Sequence, residues 1–171
     1  MRVARELRPR PAAPRADVAE ILADVRARGD AAVLDYTERF DKAELAPEQL
    51  RVEARELEAS VGVLEPAVLD GLRTAIANVR QVASAQRRDP VEVELPQGQH
   101  VAVSEQPVAR VGVYVPGGRA AYPSTVVMCA VTARVAGVKQ IAVCAPPGPR
   151  GEAHPVILAA CVLCEVTEVY R

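Results

Sequence analysis

The sequence predicts an α/β chain, with a helical N-terminal region, a β-hairpin, and then an incomplete parallel βαβαβ sheet. Three observations carry this. Apolar residues recur at helical spacing between Asp17 and Gln86, and the period drops to two from Val91 onward. From Arg110 the stretch RVGVYVPGGRAAYPSTVVMCAVTARVAGVKQIAVCAPP then reads as strand, glycine loop, helix and strand without interruption.

Taken in order, the first helix is expected to start at Asp17, whose side chain can cap it. It runs through Val18, Ile21, Leu22 and Val25 until Gly29 stops it. A second helix follows, capped by Asp30, with Val33, Leu34, Tyr36, Thr37 and Phe40 as a broad apolar stripe and Asp41-Lys42 at its end. A third, short helix spans Arg55 to Val63. The longest helical pattern, Val68, Leu69, Leu72, Ile76, Val79 and Val82, lies between Glu65 and Gln86, and Pro66 suits its first turn.

From there Val91, Val93 and Leu95 alternate with acidic residues, Gln97-Gly98 turns the chain, and Val101 and Val103 alternate again, which predicts a hairpin. Strands at Val111 to Val115, Gln140 to Cys144 and Val166 to Tyr170 are separated by helices at Ser124 to Val135 and Pro155 to Cys164. This order implies a parallel, Rossmann-like sheet with right-handed crossovers, although the dinucleotide fingerprint G-x-G-x-x-G is absent. Residues 1–16 read as an extended arm, 17–90 as the helical region and 91–171 as a partial α/β unit of the nucleotide-handling type. The last strand ends at Arg171 without the loop in which an open parallel sheet binds ligands, so that unit is expected to be truncated at its C-terminus.

Composition sets the class. With 171 residues and 50% hydrophobic content the chain can build a core, and a net charge of -1 with 3% aromatic residues gives no footprint for nucleic acid. No run approaches the roughly 20 apolar residues of a membrane helix. The opening MRVARELRPRPAAPR is arginine-rich, but Pro9, Pro11 and Pro14 prevent the amphipathic helix of a transit peptide, so a cytoplasmic protein is expected.

The segments VGVYVPGG, YPSTVVM, AGV and VTEVYR, with RARGDAAVLDYTERFD and AIANVRQVASAQ upstream, resemble the N-terminal part of histidinol dehydrogenase over roughly Asp17 to Arg171. The resemblance implies an NAD- and zinc-dependent, homodimeric oxidoreductase of histidine biosynthesis, taking L-histidinol through the aldehyde to L-histidine. It places the zinc ligands, the catalytic glutamate and histidine, and the substrate site beyond Arg171, so this chain alone is expected to be inactive, with no catalytic or metal residue. An alternative of another class is a vestigial binding or assembly module that pairs with another subunit.

Four residues are cofactor candidates through the resemblance: Tyr114, Pro116, Gly117 and Gly118 of the YVPGG motif. It implies that the Tyr114 ring contacts NAD. On physical grounds alone the favoured reading of Tyr114 is a strand tyrosine at the edge of a core with its hydroxyl in solvent; with the resemblance, cofactor contact is favoured. Gly117 and Gly118 either let backbone approach a pyrophosphate facing the following helix N-terminus or simply form a turn. Ser124 and Thr125 read as a helix cap and its neighbour.

Other motifs have plain readings. Cys161 and Cys164 form a C-x-x-C pair on one face of an apolar helix, away from its N-terminus, and read as buried inert thiols; Cys129 and Cys144 read as small core residues. His100 and His154 are expected on the surface, and Arg28-Gly29-Asp30 marks a helix junction. Relative to the family pattern, Lys42 and Glu165 each stand where a glycine is usual, and Val82-Ala83 replaces a Phe-His pair. If Glu165 is left-handed, it costs on the order of 1 kcal/mol relative to glycine.

Overall fold

The computed structural model describes residues 16–116 and 120–171. Apart from Ala16, the expected arm lies outside them, as do Gly117 and Gly118. Helix α1 (Ala16–Arg28) and helix α2 (Asp30–Asp41) are separated by Gly29, whose φ of 59° is readily adopted only without a Cβ. A 3₁₀ turn (Pro47–Gln49) leads to α3 (Ala54–Gly62) and the long α4 (Pro66–Gln86), with Pro66 in the first turn as expected.

The hairpin β1 (Val91–Glu94) and β2 (His100–Val103) is antiparallel, pairing Val91 with Val103 and Val93 with Val101. All eight of its residues are exposed, so it forms a separate two-stranded sheet. The second sheet is parallel, in the order β3 (Arg110–Tyr114), β4 (Gln140–Cys144) and β5 (Glu168–Tyr170). Between β3 and β4, α5 (Pro123–Val126) passes through a π-helical turn (Val127–Val131) into α6 (Thr132–Val135); α7 (Pro155–Leu163) connects β4 to β5.

Register decides which face of this sheet is covered. Val113, Val143 and Val169 align across the three strands and are all buried, sharing one core with Leu57, Leu72, Ile76, Val131 and Leu158 from the helices. Each such aliphatic side chain contributes about 1.5–3 kcal/mol on burial. One residue further along, Tyr114, Cys144 and Tyr170 align on the opposite face, where Tyr114 and Cys144 are exposed. Helices therefore pack on the valine face, which is why the first strand reads V-G-V-Y rather than as a continuous apolar run.

Several local expectations are corrected. Asp17 lies within the first turn of α1, and the cap of α2 is Gly29 rather than Asp30. Pro123 opens α5 behind Tyr122, so Ser124 sits inside the first turn and makes no cap. The apolar stripe of α1 has no buried residue, with Val18 and Leu22 exposed, and Phe40 of α2 is exposed too. The rest of each stripe is partly covered: Ile21 and Val25 of α1 and Val33, Leu34 and Tyr36 of α2 are half-buried, and Thr37 is buried.

Candidate functional site

Beyond the carboxyl ends of β3 and β4 the chain leaves a cleft of about 650 Å³, within the size range of small-molecule sites. It is the place where an open parallel sheet binds ligands. Tyr114, the last residue of β3, lines it with an exposed side chain, followed by Val115 and Pro116. Val115 is fully buried and its N–H donates to the Cys144 carbonyl at 2.8 Å, which fixes the strand end and leaves the neighbouring tyrosine turned to solvent.

The second wall is the loop after β4, APPGPRGEAH, from Ala145 to His154. It is internally braced: Gly148 donates to the Glu152 carbonyl at 2.8 Å, and the Arg150 N–H donates to the Glu152 carboxylate at 3.0 Å. Backbone hydrogen bonding, first from its own N–H, with the Arg150 charge assisting, holds the Glu152 carboxyl below the usual carboxylate range. His154 is exposed as expected and caps α7, its Nδ1 accepting from the Val156 N–H at 3.3 Å.

A third contribution was not legible beforehand. Phe40 and Asp41, at the end of α2, line the same cleft. The segment after α2 is held against the loop by Leu45, whose Cδ2 would lie only 2.7 Å from a Cβ at Gly151; Gly151, at φ +78°, is the residue that permits this approach. Phe40, the sole phenylalanine, is expected only as part of the broad apolar stripe of α2, and no local signal marks it as a cleft residue. The proline- and glycine-rich loop did carry such a signal, because it directly follows a parallel strand.

The thiols divide. Cys161 in α7 and Cys164 at its C-cap are buried, and burial pushes their pKa values up to about 12 and about 11, which matches inert thiols. Cys129 and Cys144, expected in the core, are exposed. Among the described residues no three His, Cys, Asp or Glu side chains converge as a metal site, and no helix is long and apolar enough to cross a membrane.

These features define an α/β unit, a parallel sheet with a cleft at its carboxyl ends and an aromatic residue at the mouth. A family model described as histidinol dehydrogenase matches residues 8–171. The histidinol dehydrogenase of Gluconobacter oxydans is 45% identical over 154 residues, covering 90% of this chain and 36% of that protein. That of Caulobacter vibrioides is 44% identical over 166 residues, covering 97% and 38%. A crystal structure of histidinol dehydrogenase from Elizabethkingia anophelis superposes with a TM-score of 0.86 at 29% identity, covering 96% of this chain and 38% of that one. The chain belongs to the histidinol dehydrogenase family. It spans little more than a third of the length of these relatives and corresponds to their N-terminal part.

Proposed function

We propose that this chain is the cofactor-facing N-terminal part of an NAD- and zinc-dependent histidinol dehydrogenase that converts L-histidinol to L-histidine through the aldehyde. The observation that carries the reading is Tyr114: the tyrosine of the family's YVPGG motif stands exposed at the end of β3, on the lip of the cleft. Its ring can pack against the cofactor while the hydroxyl stays hydrated. Pro116 lines the cleft beside it, and Gly117 and Gly118 complete the motif as pyrophosphate contacts, a role taken from the resemblance. When bound, NAD supplies the hydride acceptor; the residues of this chain hold and orient it.

Zinc is a different matter. The described residues offer no donor set for it, so no step is derived through a metal. We assign no catalytic residue to this chain and infer that it does not turn over histidinol alone. The reading further comprises a Rossmann-like unit over residues 91–171, a helical region over 17–90 that shares its core, a homodimeric assembly and a cytoplasmic location. The near-neutral charge supports a small-molecule role over a polyanion partner. A non-catalytic pairing module is not favoured by the comparisons.

Titration with NAD, followed through tyrosine resonances, tests the reading. Saturable shifts are expected, with a Kd around 1 mM, equivalent to only about 4 kcal/mol, because the cleft supplies part of the contacts. Those shifts should vanish in Tyr114→Ala. No response at millimolar NAD would remove the cofactor assignment.

A further inference from the structure

The carboxylate of Asp41 is placed against ordinary stabilising rules. It is the last residue of α2, where the helix dipole is negative and an acidic side chain is disfavoured. It is half-buried, and its pKa is raised by burial alone, with no hydrogen bond or cation among the described residues to offset that. The adjacent Lys42 is otherwise engaged, its ammonium donating to the Arg39 carbonyl at 2.7 Å. Glu152, the other carboxylate of the cleft, is occupied by Arg150 and backbone N–H groups. Of the two, Asp41 is the carboxylate with no hydrogen-bond partner among the described residues, and it lines the same cleft as Tyr114.

A partly desolvated carboxylate in a cleft, unpaired and at the wrong end of a helix, is a feature that folding does not favour and ligand binding uses. Its chemistry is narrow. It accepts hydrogen bonds from hydroxyl groups and repels anions. We propose that Asp41 is a ligand-binding residue: its carboxylate accepts hydrogen bonds from the vicinal hydroxyls of a nucleotide ribose and rejects a phosphate there, so that the cleft selects NAD over its 2′-phosphorylated form. This rests on the cofactor reading above. The acid comes from the helical region, not from the sheet itself, and Phe40 beside it supplies an apolar flank.

Calorimetric titration with NAD and with NADP, on the parent chain, Asp41→Asn, Asp41→Ala and Tyr114→Ala, provides the test. The parent should prefer NAD. Asp41→Asn and Asp41→Ala should weaken NAD binding by about tenfold, the scale of a hydrogen bond to a charged group, and shrink the preference over NADP by a similar factor. Both variants should melt at or above the parent temperature, since an unfavourable charge is removed, so lost binding would not reflect lost structure. An unchanged NAD-to-NADP ratio in Asp41→Asn, with binding still abolished by Tyr114→Ala, overturns the role of Asp41 and leaves the cofactor site standing. Absence of NAD binding in the parent overturns both.

Discussion

Val52 donates its backbone N–H to the carbonyl of Val169 at 2.9 Å, and through this bond the helical region borders the parallel sheet. Arg51 bridges Tyr170 in the antiparallel sense, and the Arg171 N–H donates to the Leu50 carbonyl at 2.8 Å. The outer strand β5 is thereby lined by a segment from before α3, which shields an edge otherwise open to pairing with another chain. The Arg171 guanidinium completes the join: it pairs with Glu56 and donates to the Gln49 carbonyl at 2.6 Å, with its side chain only 9% exposed.

Removing Glu56 should therefore uncouple the two regions. Glu56→Ala leaves a buried guanidinium without its carboxylate, and a loss of about 1–3 kcal/mol is expected in urea unfolding. Glu53→Ala is the control, because its pair with Arg55 is well exposed on both sides and such pairs contribute about 0–1 kcal/mol. Equal effects of the two substitutions would contradict a buried lock at Arg171.

Glu165 adopts φ 60° immediately after α7, the left-handed conformation that its replacement of a glycine anticipates. Its N–H donates to the Val162 carbonyl at 2.9 Å, and its own carbonyl accepts from Arg134 Nη2 at 2.8 Å, so the backbone is held there by both neighbours. Glu165→Gly keeps these bonds and relieves the Cβ, which should stabilise by about 1 kcal/mol, or about 2–4 °C in Tm. Lys42, at φ 61°, should gain less, since its ammonium bond to Arg39 would be lost with the side chain. A Glu165→Gly protein that melts no higher than its parent would refute the strain.

What was legible in the sequence follows from what is local. Gly29, Pro66 and the switch to alternation at Val91 place elements because backbone sterics and side-chain period act within a few residues. Burial is not local in that sense. The apolar spacing of α2 holds for Thr37, which is buried, but not for Phe40, and Cys129 and Cys144, expected as core residues, are exposed, because each depends on whether another element arrives to cover it. Tyr114 was found through its motif and its strand-end position. Asp41 was read only as a helix terminus, because its place in the cleft comes from how Leu45 packs on Gly151, a contact far apart in sequence.

The four thiols should separate by environment when the native protein meets an aromatic disulfide reagent near pH 8. Cys129 is exposed and should react first. Cys144 lies at the exposed end of β4, but its thiol is partly desolvated and its pKa is raised, so it should follow more slowly. Cys161 and Cys164, with pKa values pushed up to about 12 and about 11 chiefly by burial, should stay silent until denaturant is added. The same shifts fix the sign of an alkaline effect. A thiol whose folded pKa lies above its unfolded value near 8.5 stabilises the fold fully below about pH 8.5, and this contribution is lost as pH rises through the folded pKa. Urea midpoints should therefore fall between about pH 8.5 and 11, and a Cys161→Ala, Cys164→Ala double variant should show a flatter decline over that window. Rapid modification of Cys164 in the native protein, or equal slopes for parent and variant, would show that α7 does not seal these thiols from solvent.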